Sequence, residues 1–125
     1  MENGIAIVSS DQTDCDNLAD MLKSEPLKTV QANSIKRLEE FLDSDLFIAA
    51  LIDIDLISVT NPMVRELTLK YPGVAFLCMS SRAFHPELKD AICYHIYACF
   101  QKPVDKDEFL YLVRSICRDS VNTDE

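Results

Sequence analysis

Short uninterrupted apolar runs alternate with stretches whose apolar residues recur every three or four positions, and this alternation constrains the fold more than any other feature of the chain. A continuous apolar run suits a strand buried on both faces, which requires a parallel sheet covered on both sides. Ile5-Ala6-Ile7-Val8 is the first run, and the polar cluster Ser9-Ser10-Asp11 follows it. Cys15, Leu18, Ala19 and Leu22 then form one helical stripe over residues 14–23, closed by Glu25-Pro26. A weaker strand over residues 27–32 leads to Asn33 or Ser34 as cap of a helix with the apolar face Ile35, Leu38, Phe41 and Leu42.

The most apolar run, Phe47-Ile48-Ala49-Ala50-Leu51-Ile52, ends in Asp53-Ile54-Asp55. Asn61 before Pro62 marks a capped third helix that extends to about Tyr71-Pro72-Gly73. Residues 74–79 form a fourth strand ending in Ser80-Ser81, and His85-Pro86 opens a helix reaching about His95. Tyr97-Ala98-Cys99-Phe100-Gln101 is a fifth strand, stopped by Lys102-Pro103. The last helix has the strongest start signal: Asp105 as cap, Glu108 completing a capping box, and Val104 against Phe109 as a staple. Its buried stripe is Phe109, Leu112, Val113 and Ile116.

Strand-helix units in this order predict an α/β domain with a doubly wound parallel sheet and right-handed crossovers. Polar groups at the carboxyl ends of such strands converge beside the topological switch point, where ligands bind. The 125 residues suit one domain over 1–118, and residues 119–125, which lose the apolar periodicity, read as a tail or the start of a linker. A formal charge of −9 opposes binding to nucleic acid, and no apolar stretch approaches bilayer-spanning length. A soluble, cytoplasmic protein that binds neither nucleic acid nor membrane is expected. The five cysteines, Cys15, Cys78, Cys93, Cys99 and Cys117, show no C-x-x-C spacing and mostly fall on apolar faces, so reduced and buried thiols are expected.

Over residues 4 to 118 the chain resembles the receiver domain of bacterial response regulators, carried by Ile52-Asp53, Met79-Ser80-Ser81 and Gln101-Lys102-Pro103 in order. The resemblance implies a flavodoxin-like (βα)5 sheet of strand order 2-1-3-4-5 and a signalling module rather than an enzyme. It also implies that Asp53 accepts a phosphoryl group from a histidine kinase or phosphotransfer protein, that Ser80 contacts that group, and that Lys102 pairs with it. Those residue types suit the chemistry: a carboxylate nucleophile, a hydroxyl donor and a cation to neutralise equatorial oxygens. A downstream protein or fused output domain would read the result.

The pattern departs at Ser9 and Ser10, where receivers carry two acidic residues that help hold Mg²⁺. Neutral hydroxyls are a poor exchange for a hard cation, so Mg²⁺ binding is weakened, with Asp11, Asp53 and Asp55 as the remaining ligands. Asp55, two residues beyond Asp53, shares its side if the strand stays extended. The family's aromatic switch position is Cys99 here, and His95 stands where the fourth helix commonly ends in glycine. Cys93, His95 and Cys99 match no zinc spacing. His85 reads as a helix-entry residue, and Asp14, Asp16 and Asp20 as a solvated helix face.

Two functions therefore compete: a phosphoacceptor receiver with a degenerate metal site, and a pseudo-receiver acting as a phosphorylation-independent interaction module. A third, a flavodoxin-like carrier with Ser9-Ser10-Asp11-Gln12-Thr13 as phosphate loop, is opposed by the absence of glycine there and by the charges of Asp11, Asp14 and Asp16.

Overall fold

The computed structural model describes residues 3–83 and 85–122. Strand β1 (Gly4–Val8) leads to helix α1 (Gln12–Met21), β2 (Lys28–Ala32) to α2 (Ile35–Ser44), and β3 (Phe47–Asp53) to α3 (Asn61–Lys70). Strand β4 (Ala75–Ser80) is followed by a 3-10 turn at Pro86–Leu88 and helix α4 (Lys89–Tyr94), and β5 (Ala98–Gln101) by α5 (Lys106–Asn122). The five strands form one parallel sheet in the order β2-β1-β3-β4-β5, as the sequence and its resemblance led us to expect.

Period-2 alternation divides the apolar strands between two cores. Ile5, Ile7, Leu51, Leu77, Met79 and Phe100 pack with Cys15 and Leu18 of α1 and with Phe109, Val113 and Ile116 of α5. On the opposite face, Ala6, Val8, Ala50, Ile52 and Phe76 meet Leu38 and Leu42 of α2 and Leu67 of α3. Phe100 and Phe109 meet edge to face, with centroids 5.6 Å apart, which anchors α5 across the sheet.

Each long helix has a side-chain cap. Asp11 accepts from the Asp14 amide, Ser34 from that of Arg37, and Asp105 from that of Glu108. For α3 the expectation of Asn61 as cap is corrected. Thr60 caps the helix through the Met63 amide at 3.3 Å, and Asn61 already lies within it. Asn61 instead ties α3 to α4: its Oδ1 accepts from the Ala91 amide at 2.9 Å and its Nδ2 donates to the Glu87 carbonyl at 3.2 Å.

Helix α4 ends at His95 with φ −127°, and no non-glycine among the described residues has positive φ, so that corner turns without a left-handed residue. Helix α5 continues to Asn122, past the boundary expected near residue 118; residues 123–125 of the anticipated tail lie outside the described residues. The thiols divide differently from the expectation. Cys15 and Cys78 are buried and Cys117 is half-buried, but Cys93 and Cys99 are exposed, and all five are free.

Candidate functional site at the strand ends

Strand register places the site. β1 pairs with β3 up to Val8 and Ile52, so Ser9 and Asp53 come next, side by side at the carboxyl edge. Both continue the parity that faces α1 and α5. Order reverses between β2-β1 and β3-β4, so the pair stands at the switch point. Ser9 and Asp53 are both 0% exposed.

A buried carboxylate must be satisfied by donors or by a cation. The Ser9 hydroxyl donates to Asp53 Oδ2 at 2.9 Å, while Lys102 Nζ at 2.8 Å and the Asp55 amide at 3.1 Å share Oδ1. Ser9 Oγ also accepts from the Asp11 amide at 3.1 Å, so the hydroxyl uses its single donor and one of its two acceptor sites. Lys102 reaches the edge from the end of β5, where its amide donates to the Ser80 carbonyl at 2.8 Å.

Asp55 arrives by a turn rather than by strand parity, because β3 ends at Asp53 and the Ile57 amide returns to the Asp53 carbonyl at 2.9 Å. Its carboxylate accepts from Ser80 Oγ at 2.6 Å, the Ser81 amide at 2.8 Å and Ser81 Oγ at 3.0 Å. Lys102 Nζ lies 3.4 Å from Asp55 Oδ2. Burial pushes the Asp55 carboxyl up, but the donors Ser80, Ser81 and Lys102 outweigh it and hold it well below the ordinary carboxylate range. Partial burial pulls Lys102 down, and Asp53 and Asp55 more than offset that, raising it above its ordinary value.

The structure thus brings together Ser9, Asp53, Asp55, Ser80 and Lys102. Asp11 is a backbone neighbour of this group, but its carboxylate is engaged at the N-terminus of α1. Ser10 is exposed beside it. Asp14 was not anticipated as a member: its Oδ2 stands 3.8 Å from Lys102 Nζ, giving the ammonium a third carboxylate neighbour. The available signal was its place three residues after the capping Asp11, which turns it toward the strand ends. His85 is buried, its ring nitrogens 3.0 Å from the Arg82 carbonyl and 3.2 Å from the Arg82 guanidinium, consistent with a structural residue at helix entry. Among the described residues no buried side-chain nitrogen or oxygen lacks a partner, and no cluster of three His, Cys, Asp or Glu is arranged to hold a metal ion. No helix among them is long and apolar enough to cross a membrane.

No family model and no curated protein matches the sequence. Solved structures do match. The signal receiver domain of an HD domain-containing protein from Pseudomonas fluorescens Pf-5 is 18% identical with a TM-score of 0.85, over 98% of this chain and 99% of that one. A response regulator receiver domain protein (CheY-like) from Methanospirillum hungatei JF-1 is 18% identical with a TM-score of 0.82, over 98% and 99%. A response regulator from Thermotoga maritima is 12% identical with a TM-score of 0.79, over 93% and 98%. In strand order, helix placement and overall superposition, this chain has the fold of the response-regulator receiver (CheY-like) domains.

Proposed function

We propose that the chain is a receiver module of two-component signalling that acts by protein contact, its Asp53 centre held closed by its own side chains. The observation that carries this reading is the Ser9–Asp53 hydrogen bond at 2.9 Å within a site where both residues are 0% exposed. A phosphoryl acceptor needs an accessible carboxylate oxygen, and Asp53 is 0% exposed with a donor on each oxygen. Mg²⁺ needs several hard oxygens in octahedral array, and the residues present do not fit it. Asp55 is engaged by Ser80 and Ser81, Asp11 caps α1, and the cation already seated among the carboxylates is Lys102. The partners on this reading are signalling proteins: a histidine kinase or phosphotransfer protein, and a downstream protein or output domain.

A specific observation also favours the second reading, phosphorylation at Asp53. Acceptor, hydroxyl and lysine stand together at the strand ends, with Lys102 Nζ 2.8 Å from Asp53. That reaction would require Ser9 to release Oδ2 and Ser80 to leave Asp55. The two readings separate on titration with Mg²⁺ and beryllofluoride, followed by amide chemical shifts. A closed centre leaves the wild-type shifts unchanged at millimolar metal. A saturable response that Asp53→Asn abolishes would establish the second reading and remove the first.

Ser9→Asp sharpens the comparison by placing a second carboxylate against Asp53. Without metal the repulsion lowers the melting temperature, and Mg²⁺ restores it. A Ser9→Asp protein that melts as the wild type does, with or without Mg²⁺, would mean that Ser9 is not what closes the site.

A further inference from the structure

Three of the five cysteines gather where β4, β5 and α4 meet: Cys78 pairs with Cys99, and Cys93 shares a cavity with Cys99. Cys78 and Cys99 are paired positions on the parallel neighbours β4 and β5. Paired residues on adjacent strands point to the same face, here the one opposite Met79 and Phe100. Neighbouring strands lie about 4.8 Å apart, inside the range of about 4.4–6.8 Å between Cα atoms that a disulfide spans.

Their surroundings differ sharply. Cys78 is 1% exposed, whereas Cys99 is exposed and lines a cavity of about 480 Å³ with His85, Lys89, Ile92 and Cys93. The neighbouring Cys78 thiol lowers the Cys99 pKa, against the opposing effect of burial. The neighbouring Cys99, with burial, pushes Cys78 up. Cys15, buried on α1, is raised to about 11 by burial and by Asp14, Asp16, Asp11 and Asp53. One accessible thiol beside one sheltered thiol at paired strand positions is the arrangement of an attacking and a resolving cysteine.

We propose that Cys99 and Cys78 form a peroxide-reactive dithiol site. The Cys99 thiolate attacks the distal oxygen of a hydroperoxide; the S–O bond forms as the O–O bond breaks, and the departing oxygen takes a proton to leave as water or an alcohol. Cys99 is then a sulfenic acid. The Cys78 sulfur attacks Cys99, the S–S bond forms as the S–O bond breaks, and the released hydroxide leaves as water with the Cys78 proton. Two electrons pass from two thiols to one hydroperoxide, and the product joins β4 to β5 covalently beside the Ser80–Asp55 contact.

The test is exposure of the reduced full-length protein to hydrogen peroxide, followed by blocking of free thiols and peptide mapping. The wild type is expected to lose two thiols, to carry a dithiothreitol-reversible Cys78–Cys99 crosslink, and to react at Cys99 on the order of tenfold faster than at Cys93. Cys99→Ser keeps its Cys78 thiol, Cys93→Ser behaves as the wild type, and Cys78→Ala accumulates a Cys99 sulfenic acid trapped by a 1,3-diketone. The wild-type map stands even where Cys78→Ala folds poorly. A crosslink between Cys93 and Cys99, or equal reactivity of Cys93 and Cys99 without a crosslink, would overturn the proposal.

Discussion

Ser9 and Lys102 engage different oxygens of Asp53, one with a neutral hydroxyl and one with an ammonium, and the second carries more of the energy. Lys102 faces Asp53, Asp55 and Asp14 at 2.8, 3.4 and 3.8 Å. Lys102→Met would leave buried carboxylate charge without its cation. Removing one partner of a buried pair costs about 3–5 kcal/mol, and the 20% exposure of the lysine side chain places this case near the low end. Urea unfolding at neutral pH measures it, and a loss below about 1 kcal/mol would show that solvent, not Lys102, compensates the carboxylates.

Asp55 adds a pH dependence of definite sign. Its folded pKa is depressed, so its stabilisation is complete above the unfolded value and is lost as pH falls from about 4 toward the folded value. Urea midpoints between pH 5 and pH 2 should therefore decline more steeply for the wild type than for Asp55→Asn, and parallel curves would contradict the assignment.

Among the elements, α4 depends most on a neighbour. It spans six residues, Lys89–Tyr94, and its preceding residue Leu88 makes no side-chain cap. A helix this short is unstable alone. Asn61 of α3 supplies the missing acceptor to Ala91 and a donor to Glu87, so α4 is held from outside. Asn61→Ala is expected to speed amide exchange at Ala91 and the rest of α4 by roughly tenfold, corresponding to about 1.4 kcal/mol, while β1 and β3 exchange as before. Thr60, not Asn61, caps α3, so that helix should survive the change. Uniform acceleration across the protein would instead mark a global loss of stability.

For the whole molecule, the sheet's packing at its amino edge turns on Gly4. A Cβ there would lie 2.8 Å from Phe47 Cδ1 and Cε1 and 3.3 Å from the Leu46 carbonyl oxygen. The Phe47 ring is 7% exposed and belongs to the core that includes Ala6, Ala50 and Leu42, so it has little room to retreat. Gly4→Ala is expected to cost about 1–3 kcal/mol through overpacking, read as a fall in melting temperature. Gly73 has nothing within 4 Å of such an atom, and Gly73→Ala is the matched control without that clash.

Architecture was legible in the chain because burial on both faces of a parallel sheet writes continuous apolar runs, and α/β alternation leaves few ways to order them. The runs at Ile5, Phe47 and Val74, the Asp105 cap and the place of Asp53, Ser80 and Lys102 each at the end of its own strand follow from local pattern. What tertiary structure decided was which side chains meet. Register set Ser9 against Asp53, a turn brought Asp55 to Ser80 and Ser81, and the first turn of α1 carried Asp14 to Lys102. Helix and strand periods report which face a residue occupies, whereas these contacts depend on angstrom-scale offsets between elements distant in sequence. The sequence shows Ser9 and Ser10 only as polar residues that end the first strand; the fold makes Ser9 a hydrogen-bond donor to the buried Asp53.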